Sequence, residues 1–578
     1  MGLTSAIHIG RSALQASQLG IQVAGNNMAN AATPGYSRQS LALTPMRGDG
    51  TSIGGSVGLG VQVLDVRRKI DQALEGRLNA SLGDRERTTA LANIMSQVES
   101  ALGELGDNDL SSELSSFFTA WSERANQSQS ASVVVQQGRK LADFMQSLRS
   151  RLSDQTAQID RELGAATAEA NALTGQIADL NGSIFDAEGS GNTANTLRDQ
   201  RDQLVAQLSG LVDVSVVDRG QQGIDVLIGS SPVVLGARSR GIELRRDIEG
   251  DATVFSLQTI TDQSQLSVES GRIGGLITAR VDSTGGTIES LDDLAAGVIF
   301  QVNRLHSTGR TRAGVTGANA TLGIRAADRG LAINDGANAS FNGLPFAANN
   351  GGFSLTVRDQ AGGQSRTVRI DVDLDGLTAA GAAGTADDTS AQDIADSINA
   401  INGLSASFSA DGKLGITADP GFSFNFADDS SGVLAVMGVN SYFTGNDASS
   451  IAVNEELIAN PTRLSAGRDE NGVFVENGTA LAISALQTTG IDSLGGRSVT
   501  EYWRDTVQAT GTRTASTTSL AEAAAVVHES LEAQRAAVSG VNIDEESIDL
   551  MNYQRQYQGA ARLISIANEL TQTLMGLL

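Results

Sequence analysis

The sequence has no cysteine. Disulfides, thiol nucleophiles and thiolate metal sites are excluded together. Extracellular proteins often rely on disulfides, but a chain exported unfolded is better without thiols that would cross-link. Proline occurs 6 times and aromatics make up 4% of the residues, which fits long helices. No apolar run approaches the roughly 18 residues of a membrane span, so no membrane partner is expected. The opening MGLTSAIHIGRSALQASQLG has neither a basic start nor an unbroken apolar stretch, so it does not read as a secretory leader. Ala6 stands where a myristoylation signal needs Ser or Thr. An extracellular destination therefore calls for a dedicated export route.

Acidic charge is missing from the ends. Met1 to Gly48 contains no Asp or Glu, only Arg11, Arg38 and Arg47. Leu550 to Leu578 contains Arg555, Arg562 and Glu569. The whole chain nevertheless carries a formal charge of -25. The acidity lies between the ends, and no basic domain stands out, which disfavours a nucleic-acid partner. Near-neutral ends on an acidic chain read as segments buried in an assembly while the middle faces water.

What is present is helix at both ends and β structure between. The 578 residues suggest about three or four domains. Ile7, Leu14, Ile21 and Met28 recur every seven residues, and Gly10, Ser17 and Ala24 fill the three-residue steps. That is a helical seam with large residues at one position and small ones at the other, and small residues admit another helix closely. The helix should stop near Asn30, because Ala31-Ala32-Thr33-Pro34-Gly35-Tyr36 is a turn. Thr44 to Gly60 reads as a Gly-rich connector, with a helical region from about Arg67 that breaks near Gly103 and restarts near Leu110. From Leu141 to Ile184 apolar or small residues recur in steps of three or four, with Gln155 the one polar member. This spacing, without proline, indicates a rod-like bundle or coiled coil. Leu550, Tyr553, Tyr557, Ala560, Ile564, Ala567, Leu570, Leu574 and Leu577 repeat the spacing at the far end, so the first and last helices should pack together.

Between them, Val214, Val216, Ile224, Val226 and Ile228 alternate with other residues, as do Val368, Ile370, Val372 and Leu374, and Phe422, Phe424 and Phe426. Period two with Gly-rich turns is β structure. A short helix from Ser390 to Ile401 is marked by Ser390 and Asp393 as a capping box. The expected fold class is α+β and multidomain. A long helical bundle or coiled coil is built from both chain ends, with inserted β-rich domains. Residues 1–60 and 530–578 are the terminal assembly helices. Residues 61–211, 270–309 and 450–529 form a helical rod domain, and 212–269 and 310–449 are β-rich inserted modules.

Three fragments invite a chemical reading, and each falls short. His528-Glu529-Ser530-Leu531-Glu532 opens like a zinc-protease helix but lacks the second histidine. Gly54-Gly55-Ser56-Val57-Gly58 matches the nucleophile-elbow pattern yet lies in a polar connector with no acid–His pair evident downstream. Asp371-Val372-Asp373-Leu374-Asp375-Gly376 resembles half of a calcium loop, but Ala382 occupies the twelfth position, where a bidentate Glu is expected. Asp387 and Asp388 are the carboxylates that could add ligands. No phosphate or dinucleotide fingerprint is present. No catalytic residue, cofactor or metal is expected, and the chain reads as a non-enzyme.

The ends also carry motifs. Ala24-Gly25-Asn26-Asn27-Met28-Ala29-Asn30-Ala31-Ala32-Thr33-Pro34-Gly35-Tyr36-Ser37-Arg38-Gln39 resembles the N-terminal signature shared by bacterial flagellar rod, hook and first junction proteins. Gly540-Val541-Asn542-Ile543-Asp544-Glu545-Glu546, followed by Tyr553-Gln554-Arg555-Gln556-Tyr557-Gln558 and an apolar tail, resembles the hook-associated protein 1 family in particular. Leu197-Arg198-Asp199-Gln200-Arg201-Asp202 and Val302-Asn303-Arg304-Leu305-His306-Ser307 agree. The resemblance implies a structural subunit of the ring that joins flagellar hook to filament. It implies export through the flagellar type III channel, and four partners: further copies of itself in the ring, the hook protein, the second hook-associated protein, and an export chaperone on the C-terminal region. A hook or distal rod protein is the alternative, and a secreted adhesin or hydrolase carried on flagellar ends is a remoter one.

A lone amphipathic helix is marginal in water, so both terminal segments are expected to order only between subunits. Ile7, Leu14, Ile21, Met28, Tyr557, Ile564, Leu574 and Leu577 are the expected assembly contacts.

Overall fold

The three-and-four spacing does fold as helix. In the computed structural model, which describes residues 2–47, 58–103, 109–127, 129–189, 193–249, 252–470 and 473–576, the helices in chain order are α1 (Gly2–Ala29), α2 (Gln72–Leu102), α3 (Leu110–Ala125), α4 (Ala131–Glu188), α5 (Asn195–Leu211), α6 (Gly271–Thr278), α7 (Gly286–Ser307), α8 (Ala391–Asn399), α9 (Val433–Met437), α10 (Glu455–Ala459), α11 (Gly478–Ala485), α12 (Val499–Ser539) and α13 (Ile543–Gly576). Two compact units form: one from Met1–Ile94, Ile159–Ala279 and Ala515–Leu578, the other from Met95–Gln158 and Arg280–Thr514.

In the first unit, β1 (Gln39–Pro45) pairs antiparallel with β2 (Val61–Arg68), Gln39 facing Arg68 and Pro45 facing Val61, with a bulge at Ala42/Leu43. The Gly-rich stretch thus joins two arms of a hairpin, and α2 starts at Gln72 rather than near Arg67. Valines at 61, 63 and 66 suit the pleated surface better than a helix. β3 (Val214–Asp218), β4 (Ile224–Ile228), β5 (Ser231–Leu235) and β6 (Arg238–Ser239) form one antiparallel sheet, and β7 (Ile242–Glu249), β8 (Ala252–Thr259) and β9 (Gln265–Leu266) another. Along α4, Ile159, Leu163, Ala166, Ala170, Leu173, Ile177 and Ile184 are buried. Asn181 is buried beside them and its amide donates to the Ile224 and Gly236 carbonyls at 2.9 and 2.8 Å, tying the helix to the sheet.

In the second unit, β10 (Gly317–Asn319), β14 (Leu414–Ala418) and β13 (Leu404–Phe408) lie in that order. A second sheet is ordered β12 (Ser365–Val372), β11 (Gly351–Asp359), β15 (Phe422–Ala427). Their apolar faces and α8 share a core that includes Phe353, Leu355, Ile370, Ile394, Ile416, Phe424 and Phe426. The Ser390/Asp393 capping box is formed. Short pairs β16 (Phe443–Thr444) with β17 (Ala452–Val453) and β18 (Arg468–Glu470) with β19 (Val473–Val475) also occur.

A separate aromatic centre in this unit gathers Phe117, Phe118, Trp121, Tyr442, Phe443 and His306. His306 is fully buried, its Nδ1 2.7 Å from the Asn440 carbonyl, while the Ser465 amide donates to Nε2 at 3.1 Å. An accepting Nε2 fixes the neutral tautomer with its proton on Nδ1. Burial pushes the imidazole down to about 4, only partly opposed by the bond to Asn440.

Candidate assembly site

The two ends of the chain meet in the first unit. α1 carries its small residues on one stripe, with Gly10, Ala16, Ser17, Gly20, Ala24 and Asn27 all buried. α13 lies against that stripe. A Cβ at Gly10 would sit 2.6 Å from Ile564 Cγ1, and one at Gly20 would sit 2.6 Å from the Tyr553 ring. Glycine is needed at both positions because no side chain fits between the helices at that separation. Where α1, α13 and the β1–β2 hairpin converge, a groove of about 380 Å³ is lined by Ala13, Ala16, Leu43, Val61, Ala560 and Leu563 among others.

The expected contacts divide into groups. Ile7, Leu14, Ile21, Met28 and Ile564 are half-buried, flanking the small-residue stripe. Tyr557 and Leu574 are exposed, at 39% and 54%. Leu577 lies outside the described residues, as does most of the Gly54–Gly58 motif. Both terminal segments are helical and pair within one chain, although the sequence reading expected them to order only between subunits. A polar clasp beyond the apolar stripe helps to explain the pairing.

The clasp is built where α1 ends. Asn30, Thr33 and Tyr36 form successive turns, with Gly35 at φ +78°. The chain then returns past Asn27, which is 1% exposed. Asn27 uses every hydrogen-bonding position it has. Its Nδ2 donates to the Gln39 carbonyl at 2.9 Å and to Glu546 Oε2 at 3.0 Å. Its Oδ1 accepts from the Gln39 amide at 3.0 Å and from the Tyr36 hydroxyl at 2.8 Å. Glu546, near the start of α13, is 2% exposed. Arg38 compensates its charge: Nε lies 2.7 Å from Glu546 Oε1, Nη1 2.7 Å from Glu545 and Nη2 3.3 Å from Asp549. The Arg38 amide also donates to the Ser539 carbonyl at 2.9 Å.

The electrostatics follow. Burial works against the Arg38 charge, but Glu546 and Glu545 outweigh it, so its pKa lies above the ordinary arginine value. Burial first, then Asp199 and Glu546, push the Tyr36 hydroxyl up to about 12, so it stays protonated and able to donate. The internal motif joins the same structure. Asp199 accepts from the Ser37 amide at 3.4 Å and from Arg68 at 2.8 Å, and Arg68 also reaches Asp202 at 2.7 Å.

The sequence motifs included Asn27, Arg38 and Glu546, but periodicity did not select them as contacts; Tyr553 was in the periodic seam of the last helix. The available signal was charge: Arg38 is one of three charges before Asp49, and Asp544-Glu545-Glu546 open the last helix. His528 is a buried helix-face residue, its Nδ1 3.0 Å from Ser81 Oγ and its Nε2 3.2 Å from Glu532. Among the described residues no helix is long and apolar enough to cross a membrane.

Fold and site together define a class of protein: a multidomain α+β chain whose first and last helices pair and are clasped by polar motif residues from both ends. Residues 95–320 match the flagellar hook-associated protein FlgK helical domain, and residues 533–577 match the flagellar basal body rod FlgEFG protein C-terminal domain. Flagellar hook-associated protein 1 of Escherichia coli (strain K12) is 25% identical over 591 residues, covering 100% of both chains. That of Salmonella typhimurium is 26% identical over 596 residues, again covering 100% of both. That of Bacillus subtilis (strain 168) is 26% identical over 355 residues, 55% of this chain and 69% of the relative. The flagellar hook junction protein FlgK from Burkholderia pseudomallei has the same fold at a TM-score of 0.52 and 15% identity, covering 80% of this chain and 100% of that one. Over its whole length the chain is similar to flagellar hook-associated protein 1 of Escherichia coli and Salmonella typhimurium.

Proposed function

We infer that the chain is a structural subunit of the bacterial flagellum at the junction of hook and filament, outside the cell, and that it has no catalytic step. The observation that carries this reading is the paired α1 and α13 with an apolar outer surface left on α13. Ile566, Leu570, Leu574 and Met575 are 54%, 53%, 54% and 72% exposed. A helix already committed to one partner and still apolar on its remaining face has a second partner to bury it. That partner is a further copy of this chain, whose side chains fill the groove beside Leu43, Ala560 and Leu563.

On this reading residues 1–60 and 530–578 assemble, with Ile7, Leu14, Ile21, Met28, Tyr557, Ile564, Leu574 and Leu577 among the contacts. The remaining residues form the rod and β modules. The copies form a ring that meets the hook protein on one side and the second hook-associated protein on the other. Delivery is through the flagellar type III channel, with a chaperone covering the apolar C-terminal helix beforehand.

The experiment is a deletion strain. Cells lacking the chain should build hooks and shed flagellin into the medium, and filaments still attached to the hooks would refute the reading. The rod-type match at 533–577 favours a hook or distal rod position as the second reading. Antibody labelling separates the two: a narrow band at the distal end of the hook supports the junction, and staining along the hook or below it supports the alternative.

A further inference from the structure

The acidic loop after β12 changes character once folded. On sequence it stops short of a calcium site, because Ala382 offers no carboxylate at the twelfth position. The fold supplies one from elsewhere. A carboxylate oxygen from each of Asp373, Asp375 and Asp388 lies within 4.8 Å of the other two. Asp373 and Asp375 are exposed, whereas Asp388 is 5% exposed.

Asp388 provides the independent observation. Its Oδ2 accepts from Asn334 Nδ2 at 2.6 Å and from the Gly376 amide at 3.1 Å. Because Gly376 belongs to the acidic loop, this carboxylate abuts the loop. Its other oxygen, Oδ1, is buried with no hydrogen-bond donor. Arg369, the basic side chain next to the loop, is committed to Asp371 at 2.8 Å. Among the described residues no Lys or Arg forms an ion pair with any of the three carboxylates. A carboxylate oxygen removed from water needs a donor or a cation. This one has no donor, and its carboxyl group is one of the three that cluster there.

We propose that Asp373, Asp375 and Asp388 bind a hard divalent cation of the calcium class. An all-carboxylate donor set selects hard cations over soft ones. The three oxygens lie within 4.8 Å of one another, inside the reach of calcium–oxygen bonds of ~2.4 Å, and calcium accepts irregular oxygen sets whereas magnesium demands near-octahedral geometry. The site is not a helix–loop–helix. It joins the end of β12, the turn at Gly376 and the approach to α8, two residues before its cap Ser390. Its work is structural: the ion neutralises the buried Asp388 and fixes the loop to the helix start. Open sites of this kind on extracellular modules bind with dissociation constants of about 10⁻⁴ to 10⁻³ M.

The test uses the full chain, stripped with a chelator and dialysed. Calcium chloride is titrated calorimetrically, and the melting temperature is followed in 0–10 mM calcium with magnesium as the comparison. Saturable one-site binding is expected, with an upward melting shift larger for calcium than for magnesium. Asp373→Asn/Asp375→Asn changes two exposed side chains, so folding should survive, which circular dichroism checks. It should weaken binding at least tenfold and abolish the shift. Asp388→Asn should do the same while melting no lower than the stripped parent, because a buried charge is removed. Absence of heat and shift at 10 mM overturns the proposal. So does a shift that persists in the double variant, which would mean only general screening of an acidic chain.

Discussion

Asn27 and Glu546 are hydrogen-bonded at 3.0 Å although 519 residues of chain separate them. The bond joins the last turn of α1 to the first turn of α13, and Arg38 closes it from the other side of the carboxylate. Neither polar group has a solvent alternative, since Asn27 is 1% and Glu546 2% exposed.

Glu546→Ala leaves the Arg38 guanidinium and the Asn27 amide short of their shared partner, at a cost of about 3 kcal/mol. Asn27→Asp keeps the shape but faces one carboxylate with another, and should cost a similar amount. Amide hydrogen exchange should quicken in α1 and α13 in both variants, while α8 and β11 exchange as before. Unchanged protection in α13 would show that the clasp does not hold the helices.

Gly20→Val separates pairing within the chain from assembly between chains. Its side chain would enter the Tyr553 ring, already 2.6 Å from a Cβ, so α1 should lose its seat on α13 and become protease-sensitive. Leu570→Ser/Leu574→Ser lies on the exposed face and should leave the monomer's melting within about 0.5 kcal/mol of the parent. Filaments should nevertheless fail to attach in complemented cells. Normal motility in the double serine variant would exclude that face from assembly.

Much of this was legible in the sequence, and the parts that were not share a cause. Wherever burial repeats along one element, the sequence announces it: Leu141, Leu148, Leu152, Ile159, Leu163 and Ile177 are all buried on α4. The spacing drifts at intervals, so Met145 rather than Phe144, and Asn181 rather than Leu180, face inward. A helix of 3.6 residues per turn cannot keep a fixed three-and-four rhythm over such a length. On α1 the heptad gave the right faces, but the small residues took the buried centre and the large ones its flanks, because close helix approach excludes bulk. The β1–β2 hairpin and the Asn27–Glu546 bond were hidden because neither is periodic and each joins separate stretches of chain, whereas Asp387 and Asp388 could be named beside the acidic loop and the fold brings Asp388 to it.

His306 makes the second unit acid-sensitive. Its pKa is about 4 when folded, against an ordinary value of about 6.5 when unfolded. The unfolded chain therefore takes up the proton first as pH falls. The stabilising effect is complete above about pH 6.5, declines between 6.5 and 4, and is fully lost below, in total about 3 kcal/mol. Urea unfolding of the parent at pH 7.5, 5.5 and 4 should show this decline, and a His306→Gln variant should show less of it. Parallel pH profiles for the two would rule out His306 as the source.

Tyr442 and Gly138 form a steric pair. The buried hydroxyl donates to the Val134 carbonyl at 2.7 Å, and a Cβ at Gly138 would lie closer to that hydroxyl than any real contact. Tyr442→Phe should cost about 1 kcal/mol and Gly138→Ala about 2–3 kcal/mol by overpacking. The double variant should recover part of the sum, a coupling that thermal melts resolve. Strict additivity would mean that the helix moves aside instead.

The clasp also sets an order of events. Residues 24–39 leave the ribosome long before residues 540–549 can follow. Until then Asn27 and Arg38 face no Glu546, and the small-residue stripe of α1 has nothing to close upon. The helical pair therefore closes only after α13 has been made, so a molecule cut short before Glu546 could fold its modules yet never complete the pair.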